Sequence, residues 1–390
     1  MINNSFSAII LGGRIMGLTA LRSLAKHNIN TVLLYHDTND FAQKSNYLKK
    51  SYHVPHPEKR GNEFIEFLIK LSTEYKGAVI YPTDDEFLTE VAKNKEKLSE
   101  YYSVACNDIE VISKLINKSF LYDIAFRAGI PTPRNLVTDN KEKAIEFAKE
   151  IGFPCLVKPS QSHVYLKVFG KKMAKVFDFE SIEHELAKAA SQNLVVMIQE
   201  FVSGDDSTNY SYWGYRYNNK FYAEATAQKV RNDPPGTGSP RVQVTKNVPE
   251  LIPLARKILT ALNFEGYANV EFKKDERTNE FKFMEINPRI NRCMLQAIAG
   301  GIDYPWIIYD HLTNGNLPEK LVCKEGIYWI DLAKDIIRSF QFRKIEKYSL
   351  SEYIKPYLKP HVFAVLSLSD PKPFFKRSSG FIKEFFKKKS

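Results

Sequence analysis

Two short apolar runs in the second half of the chain most limit how it can fold. Residues 266–272 (GYANVEF) and 283–289 (FMEINPR) have strand composition and flank the polar segment 275–280, so they predict a β-hairpin. Side chains alternate along a strand, so a register centred near Thr278 places Glu271 opposite Glu285. Like charges placed opposite each other destabilise a strand pair. The sequence therefore predicts a positively charged partner between these carboxylates.

A divalent cation is the partner that the pattern favours. Residues 281–286 carry apolar side chains on both faces, so we expect Glu285 to be buried and in need of a partner. Hard divalent cations bind carboxylates, and Asn287 offers a third oxygen on the same face. Arg289 follows, within reach of a phosphate or acyl oxygen. The register is assumed, so a solvated hairpin with scattered charges stays an alternative.

Composition excludes several other classes. With 390 residues and 44% hydrophobic content, the chain has room for two or three domains. The net charge is +11, but residues 371–390 alone hold seven basic residues against one acid, Glu384. The mildly basic remainder suits anionic small molecules, and without a nucleic-acid-binding motif we expect no nucleic-acid partner.

Cysteine usage and hydropathy predict the compartment. The four cysteines form no CxxC pair, which predicts neither a disulfide framework nor a zinc site and favours a reducing cytoplasm. We see no signal peptide and no apolar run long enough to span a membrane.

Strand and helix patterns alternate through about residue 106, which predicts a parallel α/β domain. Residues 155–285 are rich in strand patterns, and helical patterns return from residue 295.

Several motifs follow one another in an order typical of one family. They are Lys118, Pro131-Thr-Pro133, Leu156-Val-Lys158-Pro159, Gln199-Glu200-Phe-Val-Ser-Gly204, Val270-Glu271-Phe272 and Glu285-Ile-Asn287-Pro-Arg289. This series resembles the ATP-grasp superfamily over roughly residues 6–315. It is most similar to the carbamoyl-phosphate-synthetase-like carboxylate–amine ligases, the branch that includes D-aspartate ligase and enzymes of surface-polysaccharide assembly.

The resemblance implies a fold. An α/β domain with a parallel sheet spans residues 1–107. An α+β ATP-grasp domain, in which two antiparallel sheets clamp ATP, spans residues 108–320, with a central subdomain at about 155–204. Residues 321–390 form a C-terminal extension with an amphipathic helix.

It also implies a reaction. ATP phosphorylates a small-molecule carboxylate, and an amine attacks the acyl phosphate to form an amide. The implied cofactors are ATP and Mg²⁺, with Mn²⁺ as a substitute, and relatives of this fold are commonly homodimers.

The resemblance assigns roles residue by residue. Two phosphate-binding lysines, an adenine-binding hinge and a ribose-binding acid hold ATP: Lys118, Lys158, Gln199, Glu200, Val202 and Asp206. The metal ligands are Glu271, Glu285 and Asn287. Arg289 matches the basic residue that stabilises the transferring phosphoryl group. From the chemistry of the reaction, Arg289 and Arg292 are candidates to stabilise the oxyanion. Arg231, in a Pro/Gly loop over the site, is a candidate to contact phosphate or substrate. From residue type alone, Glu200 is equally typical of an exposed strand, Asp206 of a turn and Arg231 of a loop.

One segment departs from the family pattern. Many members carry a glycine-rich phosphate loop after the second lysine, but here no glycine occurs between Lys158 and Gly170. Side chains are the candidate replacements: Ser160, Ser162, His163 and Lys167.

The C-terminal tail has an amphipathic pattern. Between residues 371 and 390, phenylalanines recur at helical spacing on one face and basic residues lie largely on another. This pattern is typical of an interfacial helix on anionic lipid, which would place the protein peripherally at the inner face of the membrane. A helix docked on the protein's own body is the alternative.

Two other functions remain open. A nicotinamide-dependent oxidoreductase is suggested by residues 12–17 (GGRIMG) after the first strand, with Asp37 near the place of a ribose-binding acid. That fingerprint fails at its second glycine, where Arg14 stands, and it leaves the paired acids unexplained. A non-catalytic nucleotide-binding regulator on the same fold is the third possibility.

Overall fold

The chain begins with a parallel α/β domain. The structure, a computed structural model, describes residues 6–159, 173–192, 194–346 and 348–387. Within them a five-stranded parallel sheet has the order β3-β2-β1-β4-β5. Its strands are β1 (Ala8–Leu11), β2 (Thr31–Tyr35), β3 (Lys50–His53), β4 (Val79–Pro82) and β5 (Ser103–Val104). The helices are α1 (Ile15–Lys26), α2 (Gly61–Tyr75), α3 (Asp85–Lys93) and α4 (Lys95–Ser99). Strands β1 and β4 are buried throughout, which explains their continuous apolar sequence.

Two helices lead into a small antiparallel sheet. They are α5 (Ile109–Ile116) and α6 (Lys118–Arg127). The described part of this sheet has the order β6-β9-β7-β8. Its strands are β6 (Asn135–Thr138), β7 (Cys155–Pro159), β8 (Ala174–Val176) and β9 (Val196–Glu200). Helices α7 (Lys141–Ile151) and α8 (Phe179–Ala190) share an apolar core with it.

A larger sheet forms the centre of the molecule. The described residues give it seven strands in the order β14-β13-β10-β11-β12-β15-β16, antiparallel except for the last pair. The strands are β10 (Asn209–Tyr217), β11 (Lys220–Asp233), β12 (Ser239–Thr245), β13 (Gly266–Lys274), β14 (Phe281–Asn287), β15 (Tyr328–Ile330) and β16 (His361–Phe363). Helices on this part of the chain are α9 (Leu251–Ala261), α10 (Met294–Ala299) and α11 (Tyr304–Asn314). The expected parallel sheet and two antiparallel sheets are confirmed.

The C-terminal extension packs back onto the body. It contains α12 (Leu332–Glu346), α13 (Leu350–Leu358) and α14 (Lys372–Lys387). Phe374, at the start of α14, packs against the core around the first domain, and Arg377 pairs with the buried Asp331 at 2.6 Å. The first turns of α14 are therefore docked, as in the alternative to membrane binding. Calls on the tail beyond residue 387, and on residues 160–167, lie outside the described residues. No helix in the described part of the chain is long and apolar enough to cross a bilayer.

Candidate active site

The hairpin of β13 and β14 brings the two predicted acids face to face. Glu271 is paired with Glu285, and Asn269 with Asn287, in the register that the sequence predicts. The next pair is Phe272 with Phe283, so Met284 is an extra residue in β14. Such a bulge reverses the alternation of side chains along the strand.

This bulge corrects one expectation. Phe283 and Ile286 both join the core beneath the sheet, so Glu285 points to the opposite face and is 42% exposed. Its predicted burial is wrong, because alternation counted through Met284 places it on the core side. The bulge is held by the hydroxyl of Tyr122 on α6, which donates to the Met284 carbonyl at 3.1 Å.

The acids form one face with two amides. Asn287 Nδ2 donates to Glu285 Oε1 at 3.4 Å, and Asn269 Nδ2 donates to Glu271 Oε1 at 3.3 Å. Each contact uses one carboxylate oxygen and leaves the amide oxygen of Asn287 available. Carboxylate and amide oxygens are the donors that Mg²⁺ and Ca²⁺ take in proteins.

Two lysines flank this face. Lys118, the first residue of α6, places Nζ 3.9 Å from Glu285 Oε2. Lys229 on β11 is buried and places Nζ 2.6 Å from Glu271 Oε2. Burial lowers the pKa of Lys229, but the charges of Glu271 and Glu285 outweigh it and raise the pKa overall. Glu271 therefore has a cationic partner within the protein, and the divalent cation expected between the two acids stays a prediction.

Sequence reasoning missed Lys229. It treated residues 229–236 as a Pro/Gly loop, whereas β11 continues as far as Asp233. The sequence did carry a signal: a lysine within a long strand of mixed apolar and polar residues needs an acidic partner if the strand is buried.

Lys158 lies on β7 of the smaller sheet and is 6% exposed. Burial and the nearby charge of Lys118 lower its pKa to about 7, while Glu285 acts in the opposite direction. A buried ammonium of this kind is stabilised by an added anion. The residue is therefore a fitting phosphate ligand.

The predicted adenine hinge lies at the end of β9. Gln199 is fully buried, and among the described residues neither polar atom of its amide has a hydrogen-bond partner. Such an amide is costly unless a ligand or water satisfies it. Val202 follows the strand and is 3% exposed. Both placements fit a hinge that receives a polar, planar group.

Glu200 has a different environment from its neighbours. It is 7% exposed, so the alternative of an exposed strand residue is wrong. Its carboxylate pairs with Lys282 at 2.9 Å, and with Arg277 and Arg134 at longer distances. These contacts tie the smaller sheet to the hairpin, and nucleotide contact by Glu200 stays a prediction.

Asp206 is buried and fully engaged. Its carboxylate accepts hydrogen bonds from the backbone and side chain of Asn232 at 2.7 and 3.0 Å, and from Gly236 N–H at 2.6 Å. In this structure the acid therefore holds the end of β11 and the turn that follows it, and a ribose contact requires these groups to release it.

The structure does not bring Arg231 to the cleft. Its guanidinium is 1% exposed and forms two hydrogen bonds to Asp335, at 2.9 and 2.8 Å. Loop composition suggested a position over the site, but β11 turns this side chain into the protein, toward α12. The assignment of Arg231 to phosphate or substrate is corrected accordingly.

The other two arginines lie beyond β14. Arg289 forms two hydrogen bonds to Asp85, at 2.6 and 3.0 Å, and so bridges the hairpin to the first domain. Arg292 is ion-paired with Asp331, which also binds Arg377. Burial raises the pKa of Asp331, but Arg377 and Arg292 outweigh it and lower the pKa to about 2.

These features define a class. A parallel α/β domain followed by two antiparallel sheets, with paired acids and lysines on one face of a hairpin, is the arrangement of the ATP-grasp fold. A family model described as "ATP-grasp in the biosynthetic pathway with Ter operon" matches residues 225–336. The chain has the ATP-grasp fold and is similar to this family over that segment.

Individual proteins support that placement. The chain is 25% identical over 263 residues to D-aspartate ligase of Enterococcus faecium, covering 62% of this chain and 61% of the relative. It is 28% identical over 204 residues to the C-terminal section of the carbamoyl phosphate synthase large chain of Aquifex aeolicus, covering 50% and 36%. Among solved structures, N5-carboxyaminoimidazole synthetase from Staphylococcus aureus complexed with ADP has a TM-score of 0.67 at 15% identity and covers 87% of each chain. The matched region thus spans less than two thirds of either curated relative.

The oxidoreductase alternative loses its support. Arg14 stands where that fingerprint needs its second glycine, and its guanidinium binds Asp37, the expected ribose acid, at 3.1 Å. The two curated proteins named above are a ligase and a synthase.

Proposed function

We propose that the chain is an ATP- and Mg²⁺-dependent ligase that joins a carboxylate to an amine through an acyl phosphate. The observation that carries the proposal is the opposed pair Glu271 and Glu285, which lie on one face of the hairpin and are flanked by Lys118 and Lys229. Two carboxylates opposite each other in adjacent strands repel, which destabilises the strand pair unless a cation neutralises them. Metal-assisted phosphoryl transfer requires a cation at such a position.

The donor set fits a magnesium ion. Glu271, Glu285 and the Asn287 amide supply oxygens on one face, and further positions remain for water and phosphate. When bound, Mg²⁺ would neutralise the charge that develops on the transferred phosphoryl group. We further propose that Mn²⁺ substitutes for Mg²⁺, since it accepts the same ligands.

The lysines have distinct tasks in this proposal. Lys118 and Lys158 hold the phosphates as point charges, and Lys229 is released from Glu271 once a cation takes its place. Phosphoryl transfer depends mainly on such positioning and charge neutralisation. The buried amide of Gln199 and the backbone near Val202 receive the adenine.

Arg289 is our candidate for stabilising the transferring phosphoryl group and for binding the carboxylate substrate. It follows the ligand strand directly and reaches across to the first domain at Asp85. A guanidinium there binds the substrate carboxylate and later the oxyanion formed by amine attack. Arg292 serves this purpose only if it leaves Asp331.

The substrate class is an amino acid, a peptide, or an amino or carboxy sugar. D-aspartate ligase among the relatives favours a carboxylate of amino-acid type. We also propose a role in envelope or surface-polysaccharide synthesis, with a cytoplasmic homodimer held peripherally at the inner face of the membrane. Because the first turns of α14 are docked, the distal part of the tail would make that contact.

A trapping experiment tests the reaction. Purified protein is incubated with ATP, Mg²⁺, candidate carboxylates and hydroxylamine in place of the amine. Only with the correct carboxylate does ATP give ADP and an acyl phosphate, which hydroxylamine converts to a hydroxamate and inorganic phosphate. Adding the natural amine instead yields a new amide mass. Nucleotide binding without any carboxylate-dependent ADP formation across the amino-acid, peptide and sugar classes would instead support the non-catalytic regulator.

A further inference from the structure

The first domain carries a cluster that the ligase proposal does not use. His36 directly follows β2, His56 lies in the loop after β3, and Glu86 is the second residue of α3. Strands of a parallel sheet end at a common edge, so residues far apart in the chain meet there. The three potential ligand atoms all lie within 4.8 Å of one another.

We propose that His36, His56 and Glu86 form a binding site for a divalent transition-metal ion, for which Zn²⁺ is the best match. Two imidazoles and a carboxylate are typical zinc ligands. The site goes beyond the proposed ligase function, because magnesium prefers oxygen ligands and would occupy the hairpin face.

The spacing fits a tetrahedral ion. Glu86 Oε2 lies 3.1 Å from His36 Nε2 and 3.6 Å from His56 Nε2. With zinc bonds near 2.0–2.1 Å, ligand atoms of a tetrahedral site lie about 3.3 Å apart. The two imidazole ligand atoms lie within 4.8 Å of each other, so closing the site needs side-chain rotations that bring them together by at most about 1.5 Å.

The rings are held but reachable. The His36 ring lies 4.4 Å from that of His56 and 5.4 Å from that of Phe87, between centroids, and is tilted against both, which restricts its rotation. The side chains of His36, His56 and Glu86 are 15%, 26% and 43% exposed. An ion can enter from solvent, and three protein ligands leave a fourth position open to water or a carboxylate.

One contact opposes metal binding. The Glu58 N–H donates to Nδ1 of His56 at 3.2 Å, which places the ring proton on Nε2. A metal at Nε2 moves that proton to Nδ1 and breaks this exposed hydrogen bond. Metal binding therefore costs the free energy of about one exposed hydrogen bond, and the bonds to the metal contribute more than that.

A metal ion in this cluster would also affect the neighbouring contact between α3 and the hairpin. Glu86 is the neighbour of Asp85, whose carboxylate binds Arg289 at the end of the hairpin. An ion at this cluster would fix the first turn of α3 and hence the position of Asp85.

Zinc binding by the full chain is the test. Tag-free protein is stripped with a chelator, titrated with Zn²⁺ against a chromogenic indicator, and assayed for metal content after gel filtration. We expect about one zinc per chain at this site, and Glu86→Gln and His56→Gln should each weaken its binding at least tenfold, since even changes around metal ligands cost about 10–100-fold. Co²⁺ in place of zinc should show the visible absorption of a tetrahedral complex.

Matched variants separate this site from others. His361→Gln removes a distant histidine, and Glu285→Gln removes an acid of the hairpin; neither should change the zinc affinity of the cluster. Zinc should raise the melting temperature of the parent protein and not that of His56→Gln, provided both are folded. Unchanged zinc affinity in Glu86→Gln and His56→Gln, or loss of zinc in Glu285→Gln alone, overturns the proposal. The first result would leave the cluster as a hydrogen-bonded imidazole–carboxylate group.

Discussion

Two charged regions of the molecule differ: the hairpin face, which carries Glu271, Glu285 and Asn287, and a buried junction beneath β11, formed by Arg231, Arg241 and Asp335. At the hairpin face, Glu285 is 42% exposed and its contact with Lys118 is long, at 3.9 Å. At the junction, Arg231 and Arg241 share the fully buried Asp335 through contacts of 2.8–2.9 Å. The carboxylates of the hairpin face can still bind an added cation, whereas the charges of the junction are paired within the protein.

The difference teaches how to separate a site from a scaffold among charged residues. Both regions contain acids and cations brought together from distant parts of the chain. Exposure, contact length and the number of donors around each acid distinguish them. By these criteria Arg231 belongs to the scaffold, although its sequence context suggested the site.

The largest expected effect breaks the hairpin face. Glu285→Ala should reduce Mg²⁺-dependent ATP turnover at least about 100-fold, because the metal loses a carboxylate ligand. Turnover is measured as carboxylate-dependent ADP formation, with Glu276→Ala in the exposed hairpin turn as the matched control. Circular dichroism should show an unchanged fold, and near-normal turnover in the folded variant would remove Glu285 from the metal site.

The second prediction concerns removal of the acid at the buried junction. Asp335→Ala should lower the free energy of unfolding by about 3–5 kcal/mol, because it leaves two buried guanidinium groups without their shared partner. Denaturant unfolding measures this change. Glu285→Gln should change the unfolding free energy by less than about 1 kcal/mol, because this side chain is only half-buried and its contact with Lys118 is long, at 3.9 Å. Equal losses in the two variants would contradict the proposed distinction.

A smaller effect concerns nucleotide affinity. Lys158→Ala should weaken binding of a non-hydrolysable ATP analogue with Mg²⁺ by about tenfold or more, because a charged hydrogen bond is worth about 1.5–3 kcal/mol. Calorimetric titration gives the Kd. Lys141→Ala, which removes an exposed lysine paired with Glu183, serves as the control. Unchanged affinity in Lys158→Ala would count against its assignment.

The smallest effect is one of pH. Since the pKa of Lys158 is lowered to about 7, the free protein holds this amine largely neutral above that pH. A bound phosphate favours the charged form and raises the pKa, so binding should take up a fraction of a proton near pH 8, and affinity should fall as the pH rises from 7 to 9. Titrations in buffers of different ionisation enthalpy count the protons. Uptake that persists in Lys158→Ala would have another source.

The sequence predicted what depends on local pattern. Alternation in the two strands was enough to place Glu271 opposite Glu285, and the motif order was enough to predict the three sheets. It failed where the geometry departs from the pattern or depends on distant partners. The bulge at Met284 leaves no mark in the alternation, so the burial of Glu285 was mispredicted.

Long-range partners were the other gap. Arg231 is paired with Asp335, about a hundred residues later, and Asp206 with Asn232. Lys229 was missed because the turn-forming residues after it hid the end of a long strand. Which polar groups satisfy one another is a property of the packed molecule, and spacing along the chain does not contain it.

The extra residue in β14 divides that strand into two segments of opposite phase. Residues on the hairpin-turn side of Met284 anchor the strand, while those beyond it present oxygen ligands. A regular strand that kept Met284 but lacked the bulge would turn Glu285 to the same face as Phe283, toward the core, even though every ligand residue is still encoded. Deleting Met284 would instead place Phe283 next to Glu285 and leave the acid on its present face. The backbone geometry at this one residue therefore decides which face of the hairpin carries the acid.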